Sequence, residues 1–125
     1  MIRILLGLFI ILGTLTIPVL AIGSSDVQFR AMEATAYTGG TITADGSRPH
    51  YGICASKPEW IGLTAAVYLD DDGELGDFLG YFEIKDTGGK AVRNGKVLDI
   101  YLDSYEECIQ FGRKDVWVVL LKGVG

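Results

Sequence analysis

The chain has 125 residues, 16 acidic against 11 basic, for a net charge of −5, and 49% of its residues are hydrophobic. That length leaves no room for a second full-sized domain. The acidic balance excludes nucleic acid as a partner, since phosphate binding needs a basic face. One histidine and two cysteines in no ligand-like spacing argue against a metal site, and no motif calls for a cofactor.

Arg3 precedes an uncharged apolar run from Ile4 to Ile22, which Pro18 interrupts and Val19-Leu20-Ala21 closes. This is the layout of a secretory signal cut after Ala21. The run is also nearly long enough to span a bilayer, so residues 1–21 are expected to be a signal peptide or an N-terminal anchor, with membrane attachment through residues 1–22 in the second case. Either way the domain is expected outside the cytoplasm, secreted or held at the cell wall. Residues 22–28, around Ser24-Ser25-Asp26, read as a linker, and 29–123 as one domain.

Phe29 to Tyr37 alternates loosely and predicts a strand, which Thr38-Gly39-Gly40 ends. Thr41 to His50 is a polar loop carrying Asp45-Gly46, with His50 as a loop residue. Tyr51 to Ala55 is a short apolar strand. After a turn at Lys57-Pro58-Glu59, Trp60-Ile61 looks like a plug at a barrel end. Thr64 to Leu69 and Phe78 to Ile84 are further strands, and Asp70-Asp71-Asp72-Gly73 between them predicts a hairpin rather than a calcium loop. Val97 to Tyr101 and Val116 to Leu121 complete six strands. Ser104 with Glu107 forms a capping box for one short helix that stops at Gly112. Tyr105, Cys108 and Ile109 share a face at helical spacing and are expected to point inward. Trp117, like Trp60, reads as packing. Six short strands and one helix without an internal repeat predict an all-β chain closed as a small barrel.

Cys54 and Cys108 sit in an exported domain, where a disulfide between them could persist and would stabilise by roughly 4 kcal/mol. Two small buried hydrophobes are the alternative.

Two aspartates carry the chemistry. Asp86 ends a strand and is followed by Thr87-Gly88-Gly89, a pair of glycines that lets the backbone turn and approach a ligand. Asp99 interrupts an apolar strand. In strand alternation Leu98 and Ile100 share one face, and Val97, Asp99 and Tyr101 the other. A carboxyl beside an aromatic on a groove-lining face suits sugar chemistry: the ring offers an apolar platform, and a partly desolvated carboxyl can hold a proton for a glycosidic oxygen. Tyr37, just before the glycine pair, is a further groove-wall candidate.

Ala34-Thr35-Ala36-Tyr37-Thr38, Thr43-Ala44-Asp45-Gly46, Gly52-Ile53-Cys54-Ala55, Val67-Tyr68, Asp86-Thr87-Gly88-Gly89, Gly95 through Tyr101 and Phe111-Gly112-Arg113-Lys114 occur in an order that resembles the three-aspartate domain family. Its members include a membrane-bound lytic transglycosylase and the stationary-phase muralytic proteins of Firmicutes. The resemblance implies a six-stranded double-psi β-barrel with one short helix. It further implies cleavage of the β-1,4 bond between N-acetylmuramic acid and N-acetylglucosamine in peptidoglycan strands, with a 1,6-anhydro product. On it, Asp99 matches the catalytic acid and base and Asp86 a supporting carboxylate. Tyr37, Thr38, Asp45, Thr87, Gly88, Gly89 and Tyr101 would line the substrate groove. One position departs from the pattern: the family's first aspartate is replaced by Lys57, which could pair with Asp86 or stay solvated, and Asp45 could take over the missing carboxylate's role. A non-catalytic glycan-binding barrel is the alternative function. An aspartic protease, suggested by Asp86-Thr87-Gly88, would need two facing loops, and only one exists.

Overall fold

The structure is a computed structural model that describes residues 28–122. The expected signal or anchor over 1–21, most of the linker and the last residue of the expected domain lie outside these residues. Among the described residues no helix is long and apolar enough to cross a membrane.

Six strands form one closed barrel. They are β1 (Phe29–Tyr37), β2 (Ile53–Ala55), β3 (Leu63–Asp71), β4 (Glu74–Asp86), β5 (Val97–Tyr101) and β6 (Lys114–Lys122). Their order around the barrel is β1-β5-β2-β4-β3-β6. Two of the pairings, β1 with β5 and β2 with β4, are parallel, and the rest are antiparallel. Parallel partners cannot be joined by a tight turn, so the chain leaves the sheet and returns between them. Those excursions deliver the loops around the candidate site.

Alternation decides which side chains fill the interior. Met32 and Ala34 of β1, Val67 of β3, Phe82 and Ile84 of β4, Leu98 and Ile100 of β5, and Val116 and Val118 of β6 are buried together in one core. The expected split of β5 holds: Leu98 and Ile100 face this core, while Val97 joins Ala55 and Val92 in a second, outer cluster on which Tyr37 packs. Between β3 and β4, Asp71 pairs with Glu74 across a turn of Asp72 and Gly73, at φ 54° and 89°. These are the values of a two-residue hairpin turn that suits Asp-Gly, and the Gly73 amide donates to Asp70 Oδ1 at 2.6 Å.

Two short helices flank the barrel. The first, α1 (Lys90–Arg93), is a single turn that the sequence analysis does not anticipate. The second, α2 (Tyr105–Phe111), has the expected cap, with Ser104 Oγ accepting from the Glu107 amide at 3.1 Å, and stops at Gly112 with φ 65°. Its inward face is not the expected one. Tyr105 and Ile109 are exposed and Cys108 is half-buried, whereas Phe111 and the preceding Leu102 pack on the core. A helix docked near its C-terminal end buries only that end.

The cysteines are free thiols, not a disulfide. Cys54 is wholly buried on β2, its thiol facing the Phe82 carbonyl, while Cys108 rides on α2, which packs along β1. With β5 lying between β1 and β2, the two side chains belong to different layers.

Trp60, at the end of a single 3-10 turn (Pro58–Trp60), packs with Ile61 on the core as the expected barrel-end plug. The Arg30 guanidinium and the Lys57 ammonium lie 5.0 and 5.5 Å from its ring centre. Gly95 closes this corner at φ 83°, where an added Cβ would come within 3.1 Å of the Trp60 ring. Gly95→Ala is therefore expected to destabilise the domain by about 1–3 kcal/mol, read by thermal melting.

Candidate functional site

The site lies on the outer face of β1, β5, β2 and the end of β4. On β1, alternation that sends Met32 and Ala34 inward sends Thr35 and Tyr37 outward. Parallel register then sets Thr35 beside Asp99 and Tyr37 beside Tyr101. On the far side of β5, Ala55 of β2 pairs with Asp99 and, across its other edge, with Asp86. The two carboxylates thus flank one small alanine, and ordinary strand spacing puts their Cα atoms roughly 10 Å apart.

Asp86 reaches this face through an irregularity in the strand. Phe82 and Ile84 point inward, so strict alternation would send Asp86 inward as well. The β2–β4 register instead shifts between Cys54 and Ala55, so that Ala55 pairs with Asp86 rather than with Lys85. This bulge turns the carboxylate outward, a re-aiming that bulges commonly perform beside functional sites.

Asp86 is held by three donors. The Tyr37 hydroxyl gives a hydrogen bond to Oδ2 at 3.0 Å, and the Ala44 and Thr87 amides give theirs to Oδ1 at 3.0 and 2.9 Å. Tyr37 comes from β1, Ala44 from the loop before β2, and Thr87 from the turn after β4, so this one carboxylate ties three segments together. Burial, then the charge of Asp86 and the hydrogen bond to it, push the Tyr37 phenol well above its ordinary pKa. It stays a neutral donor at physiological pH. Its ring packs edge-on against Tyr101 at 5.4 Å, so the two rings brace each other on this face.

Asp99 has a different environment. It is half-buried, and its side-chain partner is the Thr35 hydroxyl, donating to Oδ1 at 2.7 Å. Burial raises its carboxyl above the usual carboxylate range; the Thr35 hydrogen bond acts in the opposite sense, and the charge of Asp86 adds to the rise. The two neighbouring carboxyls thus differ in surroundings: Asp86 accepts from three donors, and Asp99 is partly desolvated with one hydroxyl donor.

Of the other expected site residues, Asp45 is engaged within its own loop. Its Oδ1 accepts from Thr43 Oγ1 at 2.7 Å and the Ser47 amide at 2.9 Å, and its Oδ2 pairs with Lys85 at 3.3 Å. The Ser47 and Thr43 hydroxyls hold it well below the ordinary carboxylate range. Asp45 so fastens the loop that presents the Ala44 amide, and its own amide donates to the Lys85 carbonyl at 3.0 Å. Lys57 makes no ion pair with Asp86 among the described residues, and lies over Trp60 instead. Thr38 is half-buried at the end of β1, and His50 bonds to the Tyr51 carbonyl in its loop. Gly88 and Gly89 lead into α1, Gly89 as its N-cap at φ −69°, so neither needs a left-handed backbone. The turn's glycines serve the start of a helix here.

Sequence reasoning did not single out Thr35, Ala44 or Ser56. Ser56 is wholly buried next to Ala55, its amide donating to the Asp86 carbonyl at 3.0 Å. Only the outward position of Thr35 two residues before Tyr37 offered a signal. The Thr35–Asp99 contact gives opposed expectations for pH dependence. Thr35→Val removes the hydrogen bond that lowers the Asp99 pKa, so the alkaline limb of any Asp99-dependent activity should move to higher pH. Asp86→Asn removes a charge that raises it, so that limb should move to lower pH. Rate–pH profiles of the two variants check both signs.

No protein-family model matches the chain, and no curated protein matches it in sequence.

Proposed function

We propose that the domain is a peptidoglycan lytic transglycosylase of the three-aspartate family, built on a double-psi β-barrel and working outside the cytoplasm on glycan strands. The observation that carries this reading is Asp99: a half-buried carboxyl with a raised pKa, facing outward beside a second carboxylate held by three donors. Two parallel pairings in a closed six-stranded barrel agree with the double-psi topology.

In this mechanism Asp99 begins protonated. It donates to the glycosidic oxygen as the bond from the muramic acid C1 breaks, leaving the Asp99 carboxylate and a positive charge on the sugar ring. Asp86 lies close enough for its charge to act on Asp99, and it stabilises that positive charge in the same way. The muramic acid C6 hydroxyl then attacks C1 and gives its proton to Asp99, which restores the starting state with no water consumed. The inverting plan of two carboxylates with a water between them, and the retaining plan with a carboxylate nucleophile, are not required. The Tyr37–Tyr101 pair forms the apolar wall for a sugar ring. The direct test is incubation of purified sacculi with wild type and Asp99→Asn; equal release of anhydro-muropeptides by the two would sink the proposal.

A second reading is a non-catalytic glycan-binding barrel. The position of Lys57 favours it: a lysine over Trp60 stands where the family pattern has its first aspartate, and Asp45 is occupied within its loop. Wild type that pellets with insoluble peptidoglycan without releasing fragments would establish that reading.

A further inference from the structure

The strands that carry the candidate site lie on one side of the barrel, and the opposite wall, made of β6, β3 and the first half of β4, has an unusual surface. Alternation sends Tyr68 and Trp117 outward, and Phe29 joins them at the start of β1. A register shift between Val67 and Tyr68 adds Phe78 to the same face as Tyr81, so their rings stand 5.0 Å apart. The result is a continuous run of rings, Phe29–Tyr68 at 6.1 Å, Tyr68–Phe78 at 4.9 Å and Phe78–Tyr81 at 5.0 Å. Phe78 is 45% and Tyr81 64% exposed, a large apolar area to leave against water. On either side of this ridge lies a hollow. One of about 200 Å³ is lined by Phe29, Leu75 and Trp117, and one of about 360 Å³ by Thr64, Tyr81, Glu83 and Leu121.

We propose that this aromatic wall is a second glycan contact, separate from Asp86 and Asp99, that holds a neutral polysaccharide strand against the protein. It rests on the glycan-directed reading above for the class of ligand alone. Charge selects the ligand. Glu83 lines one hollow, and the hairpin beside Leu75 carries Asp70, Asp71, Asp72 and Glu74, in a chain of net charge −5. That border repels anionic lipid and polyanions, and a second copy docked face to face would bring like charges together. A neutral polyhydroxylated chain meets no such repulsion, and carboxylates at the rim accept hydrogen bonds from its hydroxyls. The apolar faces of its sugar rings match the aromatic ridge. The rings brace one another at interplanar angles of 65°, 52° and 69°, so they are already ordered before a ligand arrives.

The test compares the full chain with the Phe78→Ser/Tyr81→Ser double variant and with Tyr81→Trp. Both changed residues are exposed, and thermal melting confirms that each variant is folded. The double variant is expected to lose about tenfold in retention on insoluble chitin, a neutral polymer of N-acetylglucosamine, the scale of truncating aromatic anchors, and Tyr81→Trp to retain it. Cleavage of short soluble glycan fragments should stay within about twofold for all three, since Phe78 and Tyr81 are remote from Asp99. In a Trp60→Phe background, neutral N-acetylglucosamine oligomers should shift Trp117 fluorescence. Unchanged retention by the double variant overturns the proposal, whatever the cleavage result. So does wild-type binding to phosphatidylglycerol vesicles in preference to chitin, or dimerisation that the double variant abolishes. Retention that depends on Tyr81 in a protein that cuts nothing supports this proposal while removing the catalytic one.

Discussion

Asn at position 99 is expected to lower the release of anhydro-muropeptides from sacculi by about 10²–10⁴-fold, the range for loss of a general acid and base, without unfolding the barrel. The amide oxygen can still accept from Thr35 Oγ1, which donates to Asp99 at 2.7 Å, so the substitution keeps the local geometry and removes only the proton. The same variant should be more stable than wild type at neutral pH. The folded-state pKa of Asp99 is raised, chiefly by burial, so the folded protein binds more protons than the unfolded chain at intermediate pH. Its contribution to stability is fully present below the unfolded carboxylate value of about 4 and is lost as pH rises through the raised folded value. Asn does not ionise and escapes that loss. Since Asp99 is only half-buried, solvent screening keeps the gain in Tm small at pH 7, and it vanishes near pH 3. A lower Tm at pH 7 would contradict this account of the site's electrostatics.

Ile100→Ala, one residue along the same strand, should behave in the opposite way. Ile100 is 1% exposed and sits in the main core with Leu98, Ile84 and Val116. Its truncation leaves a cavity in a small barrel and should destabilise by about 3 kcal/mol. For a domain of this size that lowers Tm by more than about 10 °C. Below its melting point the variant should keep much of the wild-type rate, because Ile100 faces the core and Asp99 the other side of the strand. Melting curves with rates taken at low temperature separate the two effects. Together the two variants test whether activity and stability divide between opposite faces of one five-residue strand.

Local signals in the sequence carried much of the architecture. β1 and β5 have the bounds read from their alternation, and α2 has the cap that Ser104 and Glu107 announce. The Asp-Gly hairpin follows from the φ values those two residues tolerate. The outward placement of Asp99 and Tyr101 is likewise a matter of period two. What was not legible depends on residues distant in the chain. Thr35 meets Asp99 across 64 positions and Tyr37 meets Asp86 across 49, through a parallel pairing and a bulge that no local pattern signals. The position of Lys57 over Trp60 depends on where the barrel end places that ring, and the exposure of Tyr105 and Ile109 on how α2 docks. The choice left open for the cysteines, a bridge or two unpaired thiols, was not legible for the same reason: their spacing says nothing of the strand that separates them.

The central claim is that Asp99 serves in turn as acid and base for an attack from within the sugar. Mass analysis of the soluble products that wild-type protein releases from purified sacculi tests it most directly. The account predicts muropeptides ending in a 1,6-anhydro sugar, each lighter by one water than a hydrolysis product, and their disappearance with Asp99→Asn. Products with ordinary reducing ends, or anhydro products still formed at the wild-type rate by the Asn variant, would contradict it.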